Sequence, residues 1–154
     1  MRHLKVQIVS KLTQMQDAIA VRRAVFIDEQ RVPASEEIDA HDGDPAIVTS
    51  AVHVVAYHDR RPVATARLLL DTPVSGQAHI GRVAVVAKER GRGFGKAVMI
   101  ALHSEAQRRG YPGITLAAQL QAIPFYERLG YVSRGDVFLD AGIEHRWMDF
   151  SFEK

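Results

Sequence analysis

The 154-residue sequence contains no cysteine. Disulfides, thiolate metal sites, iron–sulfur clusters and a cysteine nucleophile are excluded together. Asparagine is absent too, so there is no N-glycosylation acceptor. No stretch reaches the roughly 18 apolar residues a membrane-spanning helix needs. The opening MRHLKVQIVSKLTQ lacks the apolar run of a signal peptide. Neither sign of charge dominates: 20 basic against 18 acidic residues leave +2, too little for a nucleic-acid-binding coat. The expectation is a cytoplasmic protein with no membrane partner, no nucleic-acid partner and no metal. What the chain does have is 47% apolar content. At this length that supports one domain, 1–154, burying about 70% of its unfolded surface.

Periodicity orders the chain. Leu4–Val9 alternates as a strand, and Thr13 with Gln16 fits a capping box opening a helix that runs to about Gln30. Residues 28–44 set Asp28, Glu29, Glu36, Glu37, Asp39, Asp42 and Asp44 against the single cation Arg31, and Pro33 and Pro45 make this a loop or broken-helix region. Ala51–Tyr57 and Pro62–Leu70 read as strands joined by a four-residue hairpin connection, His58 to Arg61. Ile80–Ala87 is a further strand. Gly93–Gly110 follows as an amphipathic helix with Phe94, Ala97, Val98, Ala101, Leu102 and Ala106 inward. Then come a strand at Ile114–Ala118, a short helix opened by Pro124 and stopped by Gly130, and late strands from Tyr131 and over Glu144–Phe152. This order predicts an α/β fold: a mixed, mostly antiparallel sheet with helices on both faces. Its one parallel β-α-β crossover, over 80–118, must be right-handed. Ligands of such units sit beyond the carboxyl ends of the strands, here near 86–95 and 118–126.

The sharpest local signal lies there: Arg90-Gly91-Arg92-Gly93-Phe94-Gly95-Lys96, after a strand and opening a helix. Alternate glycines let the backbone approach a ligand, and a helix start favours anions. Arg90, Arg92 and Lys96 against Glu89 add positive charge, so a pyrophosphate is the natural occupant. A P-loop would need glycine at position 90 and Ser/Thr at position 97, where Arg90 and Ala97 stand. The dinucleotide fingerprint fails because Lys96 and Val98 occupy its third glycine position in the two frames.

Val83-Ala84-Val85 followed by this loop resembles the acetyl-CoA-binding strand and loop of the GNAT superfamily of N-acetyltransferases, with its Arg-x-x-Gly-x-Gly core. Ala122-Ile123-Pro124-Phe125-Tyr126-Glu127-Arg128-Leu129-Gly130-Tyr131 is similar to the family's second signature. Gln119 stands where relatives often carry an asparagine. Val25–Gln30, Ile80–Val83, Ala118-Gln119 and Asp140–His145 further resemble the ElaA-like branch. The resemblance spans roughly residues 4–152.

It implies acetyl-CoA as co-substrate. Backbone amides of Arg90, Gly91, Arg92, Gly93, Phe94, Gly95 and Lys96 would hold the pyrophosphate. Val83, Ala84 and Val85 would line the pantetheine where the next strand splays away, with Gln119 close by. With no cysteine for an acetyl-enzyme, the amine would attack the thioester directly in a ternary complex. Tyr126 is the candidate acid for the departing thiolate; its competing role is a core tyrosine packed with Phe125 and Tyr131. The Val85 amide is the expected oxyanion donor. For the base, His79 shares strand parity with Val83 and Val85; Glu29, Glu36, Glu37, His41 and His145 are the other candidates. Arg82, of opposite parity, reads as a buried ion-pair partner.

The acidic stretch 28–44 would favour a cationic small-molecule amine, although a protein lysine or N-terminus also fits. The alternatives are an acyl-CoA sensor without turnover, and an acyltransferase for longer chains admitted by Ala84 and Ala118. The late strands allow a homodimer.

Overall fold

The computed structural model describes residues 4–70 and 76–152. A seven-stranded sheet runs in the order β1-β2-β3-β4-β5-β7-β6. β1 (Leu4–Ile8), β2 (Ala51–His58), β3 (Arg61–Leu69) and β4 (Gln77–Val85) form an antiparallel meander. β5 (Gly113–Gln119) lies parallel to β4, and β7 (Ile143–Ser151) and β6 (Val132–Asp140) complete the sheet antiparallel. The helices are α1 (Leu12–Arg22), α2 (Ala34–Glu37), α3 (Phe94–Arg108) and α4 (Ile123–Arg128). The mixed, mostly antiparallel sheet with one crossover is as expected. No helix among the described residues is long and apolar enough to cross a membrane.

Alternation sorts the strands into two faces. Ala78 and Ile80 of β4 join Leu68, Ile114 and Leu116 beneath α3, which buries Phe94, Val98, Met99, Leu102 and Ala106. Ala97 and Ala101, expected inward with them, are only half-buried, and Met99 takes their place. On the other face α1 packs Met15 and Ala18 on Val9 and Val55, and Val21, with Val25 just beyond the helix end, packs on Ala84.

Three local expectations are corrected. The box from Thr13 to Gln16 does not form. The helix starts earlier, at the N-cap Lys11, which has no acceptor oxygen. The Gln14 side chain instead accepts from the backbone N–H groups of Ser10 (2.8 Å) and Lys11 (3.1 Å). The β2–β3 hairpin turns in two residues rather than four. His58 pairs with Arg61, and Asp59 and Arg60 adopt the positive φ of 51° and 69° that a tight hairpin turn needs.

The third correction concerns His79. In the β3–β4 ladder Arg67 faces Gly81 but Thr65 faces Ala84, so β4 carries one extra residue. Arg82 takes up that bulge with φ 54°. Crossing it reverses the alternation. His79 therefore lies on the α1 face, whereas Val83 and Val85 pack toward the α3 core.

The acidic stretch is not a solvated run. Arg22 is 1% exposed; its Nε donates to Glu37 at 2.8 Å and its terminal nitrogens to Asp42 at 2.6 and 2.9 Å. Arg67 binds Asp39 at 2.9 and 2.7 Å and Asp42 at 3.0 Å. Arg82 pairs with Glu37 at 3.2 Å, as expected, but is half-buried rather than buried. Three guanidinium groups thus neutralise three carboxylates and fasten α2 and the loop after it to the sheet. The arginines come from α1, β3 and β4, distant in sequence and invisible to a local charge count.

Burial pushes the imidazoles of His53, His79 and His103 below their usual value. The fold thus prefers their neutral forms. The stability they lend is complete above about pH 6.5 and is lost as pH falls through that value. Burial alone would raise Asp42, but hydrogen bonds from Arg22 and its charge hold it below the usual carboxylate range. Its contribution is lost only below about pH 4. Glu37, raised by burial, has the opposite sign and favours the fold less as pH rises. The urea midpoint should be level above about pH 7 and decline in two stages on acidification. A midpoint unchanged between about pH 8 and about pH 5 would contradict the burial of these rings.

Candidate active site

β4 and β5 pair only from Gln77 opposite Gly113 to Ile80 opposite Leu116. Beyond that both strands continue, to Val85 and Gln119, without each other. β4 stays with β3 and β5 stays with β7. The gap opens into a cleft of about 1070 Å³ lined by Val83, Ala84, Val85, the 90–96 turn except Arg92, Gln119 and Tyr126.

The backbone direction on the gap's β4 side follows from one hydrogen bond. Val86 N–H donates to Val63 C=O at 2.9 Å, across β3. Alternation then aims the N–H and C=O of Val85, and of Val83, away from β3 into the gap. Arg90 Nε donating to Val85 C=O at 3.0 Å, from beyond the strand, agrees with this. Val85 N–H is left as a donor facing the cleft, where the oxyanion donor was expected.

The glycine turn has the geometry of an anion cradle. Gly91 and Gly93 hold φ of 78° and 87°, and a Cβ on either would have nothing within 4 Å, so the open side faces outward. Gly93 is the N-cap of α3 and supplies no side-chain cap. The first helical bond is Ala97 N–H to Gly93 C=O at 3.0 Å. The N–H groups of Phe94, Gly95 and Lys96 therefore have no partner in the helix. The side-chain charge is more balanced than the loop alone implies. Arg90 forms a two-pronged pair with Glu29 at 2.7 and 2.6 Å, and Arg92 binds Glu89 at 2.7 Å. Lys96 is exposed and has no acidic partner among the described residues. Main-chain donors would do most of the holding.

The wall opposite the turn is a feature periodicity could not reveal. α1 widens into a π-helical segment, Arg23–Glu29, in which Gln30 N–H bonds to Val25 C=O at 3.0 Å. π segments gather at functional sites, and this one brings Phe26, Glu29 and Gln30 to the cleft. Gln30 and Gln119 exchange amide hydrogen bonds of 3.3 and 2.9 Å, joining that segment to the end of β5.

Tyr126 is packed as a core tyrosine and also reaches the cleft. Its ring meets Phe125 and Tyr131 edge-on at 5.0 and 5.8 Å, yet the residue also lines the cleft. The hydroxyl makes no hydrogen bond among the described residues, and burial lifts it well above the usual phenol range. Tyr131, by contrast, is engaged: its hydroxyl lies 2.6 Å from His103 Nε2.

Of the base candidates, the cleft is lined by Glu29, Glu36, Glu37, His79 and His145 but not by His41, whose Nδ1 lies 2.7 Å from the Ser50 hydroxyl. Glu29 is held by Arg90, whose hydrogen bonds lower its carboxyl. His145 sits opposite Gln119 in the β5–β7 ladder. Its Nδ1 lies 2.7 Å from Ile143 C=O, and a carbonyl can only accept. Nδ1 therefore carries a proton, and in the neutral ring the lone pair is on Nε2. The His79 ring has no hydrogen-bond partner among the described residues and meets Trp147 edge-on at 5.8 Å. Ala118 lies in the core at 1% exposure, while Ala84 does line the cleft.

Residues 26–152 match the acetyltransferase (GNAT) domain family. The chain is 38% identical to the uncharacterized N-acetyltransferase YjcF of Bacillus subtilis (strain 168) over 146 residues, 94% of this chain and 98% of that protein. An acyl-CoA N-acyltransferase from Pseudomonas aeruginosa has a similar solved structure: TM-score 0.80, 29% identity, covering 96% of this chain and 99% of that one. Escherichia coli ElaA gives TM-score 0.80 at 25% identity, with 96% and 99% covered. From the parted strands to the full-length likeness, sequence and fold agree: this chain belongs to the GNAT acetyltransferase family and is an acyltransferase.

Proposed function

We propose that the protein transfers an acetyl group from acetyl-CoA directly to a primary amine held in the same cleft. The observation that carries this reading is the gap between β4 and β5, opening beside the glycine turn with Tyr126 in its wall. The thioester supplies the activated acetyl carbon. Around it, Phe94, Gly95 and Lys96 amides bind diphosphate, and Val83 and Val85 offer the pantetheine a strand edge in place of β5. The Val85 N–H stabilises the oxyanion of the tetrahedral adduct.

His145 Nε2 receives the amine's proton. It suits this better than His79, whose protonated form would be opposed by burial and then by the charges of Arg67 and Arg82. Tyr126 donates its hydroxyl hydrogen to the departing sulfur. Its raised pKa is no obstacle there, because the same dry wall destabilises a thiolate as well.

Gly93→Ala tests the cradle. Its φ of 87° is left-handed, so a side chain costs about 1–2 kcal/mol or forces the turn to rearrange. KM for acetyl-CoA should rise more than kcat falls, read in steady-state kinetics alongside a thermal melt.

A panel of primary amines with acetyl-CoA, followed by release of free CoA, tests the whole reading. Binding of acetyl-CoA with no release on any amine would instead favour a sensor. The second reading, a longer acyl donor, is supported by the small side chains Ala84, Ala117 and Ala122 along the cleft. Acetyl-CoA and butyryl-CoA compared in the same assay separate the two.

A further inference from the structure

The cleft ends, on the α1 face, in a chamber lined by His79, Arg82, Glu36, Glu37, Asp140 and His145. Its acids were expected to draw a cationic amine. The structure has already engaged the buried acid of the set. Glu37 is already bound to Arg22 at 2.8 Å and Arg82 at 3.2 Å. Glu36 and Asp140 are exposed at the solvent side.

Two residues of the lining, Arg82 and His79, keep side-chain nitrogens with no hydrogen bond among the described residues. Arg82 is fixed from behind: its Nε donates to Glu37 C=O at 3.2 Å and its Nη2 to Glu36 and Glu37 C=O at 3.3 and 3.1 Å. Its Nη1 makes no hydrogen bond among the described residues, and neither does the His79 ring. The side chain is held in place by a backbone bulge at φ 54°, a conformation that costs a non-glycine residue about 1–2 kcal/mol. A guanidinium immobilised in this way loses little entropy when its free end takes an anion.

Resting on the transferase reading above, we infer that the acceptor is an amine that also carries a carboxylate, with that carboxylate bound by Arg82 Nη1 and the neutral His79 ring. Arg82 stands three residues before Val85, about 10 Å along the strand. The arginine side chain and an α-amino acid together cover that span, leaving the amine toward the thioester. The local potential agrees. Burial first, and then the charges of Arg67 and Arg82, bias His79 toward its neutral form, against a smaller opposing pull from Asp140. Arg82 itself is lowered by burial and by Arg67, so an anion bound at its free Nη1 would add to the compensation that Glu37 already gives.

The test compares L-alanine, L-leucine and L-phenylalanine with their primary amides as acceptors, reading kcat/KM from CoA release. The amide's amine is the less basic and more fully deprotonated, so a preference for the acid runs against intrinsic reactivity. Wild type should favour the acids by about tenfold or more, the scale of a hydrogen bond to a charged group. Arg82→Gln should shrink that ratio toward one, chiefly through KM, and Arg82→Lys should keep part of it. The wild-type ratio stands as a test even if a variant is unstable. Equal use of acids and amides, or a ratio unmoved in Arg82→Gln, overturns the inference while the transferase reading survives. Faster turnover of phosphoethanolamine than of any amino acid overturns the carboxylate assignment. Acetyl-CoA bound with no turnover of any acceptor overturns the transferase reading and this inference with it.

Discussion

Tyr126→Phe is expected to lower kcat by about 10²- to 10⁴-fold, the range a positioned proton donor contributes. Acetyl-CoA affinity and melting temperature should scarcely change. The second half of the expectation gives the first its force. The Tyr126 hydroxyl bonds to nothing among the described residues, so removing it breaks no structural contact, and losing an unpaired buried hydroxyl is neutral or stabilising. The ring packing on Phe125 and Tyr131 is retained by phenylalanine. Steady-state kinetics, calorimetric titration with CoA and a thermal melt on the same preparation decide it. A kcat within twofold of wild type would show that the sulfur leaves without help from this phenol.

The largest stability effect should come from a residue outside the cleft. The Asp42 side chain is fully buried, bonded to Arg22 at 2.6 and 2.9 Å, to Arg67 at 3.0 Å and to the Asp39 N–H at 2.9 Å. Asp42→Ala leaves two buried guanidinium groups short of an anion. Breaking such a cluster from one side costs about 3–5 kcal/mol, a large part of a typical domain's 5–15 kcal/mol. Tm should fall by roughly 10 °C or more. Denaturant titration should show the same loss, and Asp44→Ala provides the contrast, because among the described residues the Asp44 side chain accepts only from the nearby Ala46 N–H. Comparable losses in the two variants would mean the ionic cluster adds little.

Most of the architecture could be read from local pattern because each element answers to its own periodicity. Strand alternation, the helix of 94–108 and the glycine turn need no distant partner to be recognised. The glycine loop was legible for the same reason: positive φ and a bare helix start are requirements of a few adjacent residues. The misreadings share the opposite character. The reversed facing of His79 arises from one extra residue at Arg82, which no alternation rule marks. The neutralised acids of 28–44 depend on Arg22, Arg67, Arg82 and Arg90, which tertiary structure alone brings near. The π segment is chemically an ordinary continuation of α1, and its wider winding appears only in the hydrogen bonds. Tyr126 was identified by its place after β5; its unbonded hydroxyl could not have been.

The two links between the π segment and the rest of the cleft differ in kind, and ionic strength should tell them apart. Glu29–Arg90 is an exposed ion pair beside the glycine turn, whereas Gln30–Gln119 is a neutral amide exchange at the end of β5. Added salt screens the first and leaves the second almost untouched. In concentrated electrolyte the latch next to the turn loosens while the hinge-like amide tie persists. The mouth of the cleft would then loosen at one end only.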